Sequence, residues 1–195
     1  MAGVTTFRLW AAARAFLAVL AAACACSPAG AFDGKTLLVA GDENFPPYEF
    51  VDVIDGESVY RGFNVDLLKA VALTTGYEIR FVPLPWSDAL RALERGEVDA
   101  IGGMKYDRER EKIYDFSEPY MQNSLAIFVR TGMQAINSLD DLGGRRVAVQ
   151  QNDAAHDRLK NRQVHLLPTL DQKAALELLL KGEAEAVLGN RLTGE

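Results

Sequence analysis

The segment ALRALERGEVDAIGG, residues 89–103, returns at an offset of 86 residues as ALELLLKGEAEAVLG, residues 175–189. In each copy an alanine- and leucine-rich helix runs to a glycine (Gly96, Gly182), an acidic residue follows, and a short apolar run leads to a final glycine (Gly103, Gly189). A glycine just past a helix supplies the left-handed C-cap. An apolar run bounded by turn residues reads as a buried strand. Any amphipathic helix followed by a strand shows part of this pattern, but the fixed order and spacing favour two similar α/β lobes in one chain.

The flanking residues extend both copies. Lys35 to Ala40 reads as a strand, and Gly41 to Glu49 as a loop stiffened by Pro46-Pro47. Phe50 to Val53 with Asp55-Gly56 reads as a small hairpin. Asn64 is expected to cap a helix ending at Gly76, with Asp66 in its positive first turn. Tyr77 to Val82 alternates as a strand, Ser87 is expected to cap the next helix, and Val98 to Ile101 is a buried strand. This β-α-β-α-β order predicts a parallel sheet covered by helices. Ile113 to Phe116 and Leu125 to Val129 read as strands around the Ser117–Tyr120 turn. Arg146 to Gln150, a helix over Asp153 to Lys160, Val164 to Leu167, a Thr169/Gln172 capping box and a strand over Glu185 to Leu188 complete the reading. The chain is expected to cross between lobes at Pro119 to Leu125, giving lobe one as 32–122 and lobe two as 123–195. Ligands in open α/β sheets sit beyond the carboxyl ends of the strands. Those ends carry Gly102 to Lys105 with the charge run Asp107 to Lys112 in lobe one, and Gly189, Asn190 and Arg191 in lobe two. Facing edges of this kind make an interlobe cleft.

Residues 1–31 read as a secretory signal peptide. Arg8 and Arg14 are their only charges, Ala15 to Cys26 is small and apolar, and Ala29-Gly30-Ala31 suits cleavage after Ala31. An uncleaved N-terminal membrane anchor is the alternative. Cleavage removes both cysteines and two arginines, so the net charge moves from −6 to −8. A disulfide framework, thiol chemistry and nucleic-acid binding are thereby disfavoured. With His156 and His165 as the only two histidines, and without a nucleophile-elbow, phosphate-loop or zinc-protease motif, neither a metal nor another cofactor is expected.

GDENFPPYEF, RGFNVDLLKAVA, LPWSDAL, LERGEVDAIGGM, RERE before YDFSEPY, and SLDDLGGRRVAVQ occur in this order. Taken together they resemble bacterial extracellular solute-binding proteins of family 3, the amino-acid-type periplasmic binding proteins. GGMKYDRERE and VAVQQNDAAHD are similar to stretches of Venus-flytrap sensor domains that precede histidine kinases or diguanylate cyclases. The resemblance implies an α/β two-lobe periplasmic-binding-protein type II fold. It also implies a periplasmic protein binding a small polar, amino-acid-like or carboxylate-bearing solute. The partners implied are an ABC-transporter permease or a fused or associated membrane signalling protein. Family 3 chains run on past the strand at Gly189 and return to lobe one, so the sequence is expected to stop short of that return and to leave apolar positions of lobe one exposed.

The same resemblance places ligand contacts residue by residue. Arg110 stands where the family holds a ligand carboxylate, a task suited to a planar, permanently charged guanidinium. Asp107 stands where the family has Thr or Ser and would compete for that arginine, while Arg108 is expected to point outward. Tyr48 and Trp86 stand at cleft aromatic positions, Gly103 offers close backbone approach, and Met104 and Lys105 follow it on the loop. Asn152 and Asp153 replace the usual glycine and hydroxyl residues at a helix start, where Asp153 either meets the ligand or caps its own helix. Asn190 replaces the aspartate that takes the ligand ammonium, and Arg191 beside it hints at an anionic ligand. Cyclohexadienyl dehydratases share this fold, so a periplasmic lyase using Asp107, Asp153 or Glu43 as general acid is the enzymatic alternative.

Overall fold

The computed structural model describes residues 36–133 and 136–195, so the leader expected over residues 1–31 lies outside the described residues. β1 (Thr36–Asp42) is the centre of a parallel sheet, with β5 (Glu78–Leu84) on one side and β6 (Ala100–Ile101) on the other. A small antiparallel sheet of β2 (Asn44–Phe45), β3 (Glu49–Ile54) and β4 (Glu57–Arg61) projects from the loop after β1. α1 (Phe63–Thr75) and α2 (Trp86–Glu94) connect these strands. The second sheet has the order β7-β10-β8-β9, from β7 (Leu125–Phe128), β8 (Arg146–Gln150), β9 (His165–Thr169) and β10 (Ala186–Asn190). Its helices are α3 (Ala154–Leu159), α4 (Gln172–Lys181) and the terminal turn α5 (Arg191–Gly194).

The two α/β sheets are separate, and the chain passes from β6 to β7 over residues 102–124. The 86-residue echo is structural as well. α2 starts at Trp86 and α4 at Gln172, while β6 starts at Ala100 and β10 at Ala186. Ala100 and Ile101 pair with Val39 and Ala40 of β1, and their counterparts Ala186 and Val187 pair with Val147 and Ala148 of β8.

Four local expectations are corrected. Ile113 to Phe116 forms no strand; a 3₁₀ turn occupies Arg110–Lys112, and Ile113 is 70% exposed. The Asp107 carboxylate accepts from the backbone N–H groups of Glu109 and Arg110, so this local turn takes the hydrogen bonds a ladder would have used. The α1 cap is Gly62 at φ 127°, and Asn64 lies inside the helix with its side chain buried. Ser87 likewise lies one residue inside α2, behind Pro85, and is spent on lobe two. α4 is capped by Asp171, which accepts from Ala174 N–H, whereas the Thr169 hydroxyl donates to the carbonyls of Val149 and Asp171.

The cores are unequal. In lobe two, Leu142, Val147, Val149, Ala155, Leu159, Ala186 and Leu188 fill one face of the sheet. Ala148, Ala175, Leu179, Ala184 and Val187 fill the other. Lobe one gathers only Ala40, Ala89, Ala92 and Val98 in its buried cluster. α1 buries just Asn64 and Val65, leaving Leu73 88% and Phe63 50% exposed. Among the described residues no helix is long and apolar enough to cross a membrane.

Candidate binding cleft

A cleft of about 1630 Å³ opens between the lobes at the carboxyl ends of β1 and β8. Lobe one lines it with Asp42, Phe45, Tyr48, Glu49, Asn64 and Trp86, and with the loop from Gly103 to Glu109. Lobe two adds Gln150, Asp153, Ala154, Asp157 and Leu188.

Two carboxylates of its lining, Asp42 and Glu49, are buried. Asp42 ends β1, and its backbone N–H donates to Glu49 Oε1 at 2.9 Å. Asp42 Oδ1 accepts from Asn44 N–H at 2.9 Å, and its Oδ2 accepts from Gln150 Nε2 across the lobes at 2.6 Å. Glu49 Oε2 accepts from Asn64 Nδ2 at 3.0 Å, while Asn64 Oδ1 accepts from the Tyr120 hydroxyl at the same distance. Burial pushes Asp42 up to about 6, against the hydrogen bonds from Asn44 and Gln150. Burial likewise raises Glu49 to about 7, against the donors Asn64 and Asp42 N–H, with the Asp42 charge adding to the rise. Both carboxylates border the cleft, and each of their oxygens accepts from a protein donor.

Arg110 joins the lobes. Its guanidinium is buried, with Nε and Nη2 donating to Asp157 Oδ2 at 3.3 and 3.1 Å and Nη2 also donating to the Asn152 carbonyl at 2.8 Å. Asp107 Oδ2 lies 3.5 Å from Nε, and the guanidinium carbon lies 5.9 Å from the centroid of the Trp86 ring. Trp86 Nε1 donates to the same Asn152 carbonyl at 2.8 Å, and Asn152 Nδ2 donates to Ser87 Oγ at 3.1 Å. Asn152 holds φ 60°, a left-handed backbone that turns this carbonyl toward lobe one. Partial burial pushes Asp157 up, but the hydrogen bonds from Lys160 and Arg110 and their charges outweigh it and hold the carboxyl below its ordinary range.

Lys105 is placed differently. Its ammonium is buried without a hydrogen bond, 3.6 Å from Asp153 Oδ2 and 5.9 Å from the Phe45 ring centroid. Phe45 stacks on Tyr48 with centroids 4.9 Å apart, and the Tyr48 hydroxyl also lacks a partner. Burial depresses the Lys105 pKa, and the Asp153 charge only partly offsets it.

The family model of bacterial extracellular solute-binding proteins, family 3, matches residues 37–187. The chain belongs to this family. Over 140 residues it is 33% identical to the arginine-binding extracellular protein ArtP of Bacillus subtilis (strain 168), covering 71% of this chain and 53% of ArtP. The virulence sensor protein BvgS of Bordetella bronchiseptica is 28% identical over 137 residues, covering 69% of this chain and 11% of BvgS. Among solved structures, the ancestral amino-acid-binding protein AncCDT-1, a precursor of cyclohexadienyl dehydratase, superposes with a TM-score of 0.71. It is 31% identical and matches 80% of this chain and 70% of its own. The chain thus spans about half the length of ArtP.

Within this family 3 fold, Tyr48, Trp86, Gly103, Met104, Lys105, Asp107 and Asp153 all line the cleft. A Cβ at Gly103 would overlap the Asn64 carboxamide and come within 2.8 Å of the Tyr120 hydroxyl, so the protein's own side chains leave room only for glycine there. Arg110 departs from expectation: it is absent from the cleft lining and bound to Asp157 and Asn152, whereas Arg108 lines the cleft. Asp153 accepts from Ala155 N–H and caps α3, a helix of only 6 residues. Asn190 and Arg191 stand outside the lining. Asn190 is fully buried with its side chain accepting from Thr193 N–H, and Arg191 is exposed and paired with Glu195 at 2.8 Å. The chain leaves β10 straight into α5, and Asn190 Oδ1 serves as that turn's cap while its Nδ2 is buried without a partner.

Sequence reasoning did not single out Asp42, Glu49, Asn64, Gln150 and Asp157 as site residues. Asp157 was recoverable, since it follows Asp153 by four positions and shares its helix face. Asn64 was masked by its own cap-like chemistry.

Proposed function

We propose that the cleft binds a small, polar, carboxylate-bearing solute of the amino-acid kind outside the cytoplasm. In this reading the chain delivers that solute to a membrane permease or reports it to a membrane signalling protein, with the periplasm as its compartment. The supporting observation is the two-sided lining. Polar side chains of both lobes meet in one cleft, so a solute that bridges them also draws the lobes together. Similarity to ArtP and to AncCDT-1 supports amino-acid chemistry, and similarity to part of BvgS supports the sensing role. The test is a thermal-shift screen of the twenty standard L-amino acids and L-cystine, followed by calorimetric titration of each hit. A hit with micromolar or tighter affinity is expected. Absence of any binding at millimolar concentration would sink the reading.

A lyase is the second reading. Asp107 and Asp153 put carboxylates into the cleft, and AncCDT-1 is a precursor of cyclohexadienyl dehydratase. Release of phenylpyruvate from prephenate, or of phenylalanine from arogenate, would establish it. Glu43 is outside the cleft lining and drops out of that role, whereas Asp42, Glu49 and Asp157 join Asp107 and Asp153 as acids that border the cleft.

A further inference from the structure

The cleft region contains two buried cations whose situations differ, Arg110 and Lys105. Arg110 is saturated on the lobe-two side: a carboxylate and a carbonyl accept from it, and only Nη1 is left without a partner. That nitrogen does not open on the cleft, because Arg110 is not part of the lining. Its hydrogen-bond acceptors, the Asn152 carbonyl after β8 and Asp157 of α3, both belong to lobe two, so its bonds tie the lobes to each other directly, while Asp107 of its own lobe lies 3.5 Å from Nε. Lys105 and Tyr48 do line the cleft, and neither Nζ nor the phenol oxygen has a hydrogen-bond partner. Tyr48 is only 3% exposed, so an unmet hydroxyl there is costly. The Phe45 ring is common to both, stacked on the Tyr48 ring at 4.9 Å and 5.9 Å from Lys105 Nζ.

We propose that Arg110 is an interlobe clasp, and that Lys105 Nζ together with the Tyr48 hydroxyl receives the anionic group of the bound solute. This rests on reading the cleft as a site for a carboxylate-bearing solute, and it divides between two residues what one arginine would otherwise do. Asp153, 3.6 Å from Lys105, holds the ammonium toward the cleft without satisfying its donors. A ligand carboxylate gives those donors acceptors and restores the charge pairing that burial weakens. Lysine offers a point charge rather than a planar fork, so the site selects for charge and reach more than for a fixed carboxylate plane.

The experiment has two arms. The first needs no solute. The Trp86 indole proton, bonded to the Asn152 carbonyl, is followed by NMR for exchange protection in wild type, Arg110→Gln, Asp157→Asn, the double variant and Lys105→Met. Equal loss of protection in the two single clasp variants, no further loss in the double, and none in Lys105→Met is the expected result. Unchanged protection in Arg110→Gln and Asp157→Asn would overturn the clasp. The second arm titrates the panel compound that binds wild type most tightly, and the corresponding amine lacking its carboxylate. Lys105→Met is expected to lose about 30-fold or more in affinity for the acid and to bind the amine as wild type does. Asp157→Asn and Arg110→Gln are expected to shift acid affinity by one common factor of less than about ten. A much larger loss in Arg110→Gln than in Asp157→Asn, or a loss below about three-fold in Lys105→Met, would overturn the assignment while leaving the cleft a binding site. If no panel compound binds wild type, the cleft reading itself falls and takes the anchor with it, while the first arm still decides the clasp.

Discussion

Glu49 is 2% exposed, hydrogen-bonded only by protein donors, and raised to about 7 by burial. Its folded value lies above the ordinary carboxylate value, so between about pH 4 and 7 the folded state holds more protons than the unfolded chain. Stability contributed at this site is therefore fully present at acid pH and is lost as pH rises through the folded value. Asp42, raised to about 6, acts in the same direction over a narrower window. The loss at Glu49 is on the order of 2–3 kcal/mol. Thermal unfolding is expected to show a melting temperature that declines from about pH 4 to 7. Glu49→Gln should flatten that decline, because an amide has no charge to bury. A Glu49→Gln profile parallel to that of wild type would show that Glu49 does not carry the decline.

Gly62 shows what an element boundary can demand. At φ 127° a Cβ would lie 2.6 Å from the carbonyl carbon of Tyr48 and 2.9 Å from the nitrogen of Glu49. Gly62→Ala must then either strain the backbone or push out the segment carrying Tyr48 and Glu49, and is expected to cost about 1–3 kcal/mol by thermal unfolding. Asp171→Ala removes the α4 cap as well as the interlobe acceptor of Asn44 Nδ2, 2.7 Å away. A loss of about 1–2 kcal/mol is expected, with Asp171→Asn retaining most of the stability. Elements of this kind also mark where the sequence was legible. β8 and the α4 C-cap at Gly182 were readable because an apolar run and a helix-ending glycine are local signals. The fate of Ile113 to Phe116 was not, since an apolar stretch becomes a strand only when a partner edge is near, and Asp107 had already closed the turn. Asn64, Ser87 and Thr169 carried cap-like side chains that each bond to a partner 15 or more residues away in sequence. The cleft positions Tyr48, Trp86 and Lys105 were legible through resemblance, but the commitment of Arg110 to Asp157 was not, because it depends on how two lobes meet.

Across the whole molecule the two lobes differ in what holds them. Lobe two packs apolar side chains on both faces of a four-stranded sheet, while lobe one has a three-stranded parallel sheet and a first helix that buries two residues. Opening free energies should follow that difference. In hydrogen-exchange mass spectrometry, α1 is expected to exchange well before β8 and β10. Comparable protection of α1 and β10 would mean that the exposed apolar face of α1 is covered in solution.

The αL turn at Asn152 puts a main-chain oxygen, rather than a side chain, at the meeting point of Trp86 and Arg110. No substitution deletes a carbonyl. Any residue that tolerates φ near 60°, such as glycine or aspartate, presents the same acceptor in the same place. Mutational drift at position 152 is therefore silent for that contact, costing only the side-chain bond to Ser87. The donors have no such protection, since an indole N–H and a guanidinium each exist in a single amino acid. At this shared acceptor, variation that loosens the joint therefore acts through positions 86 and 110, on one side of it.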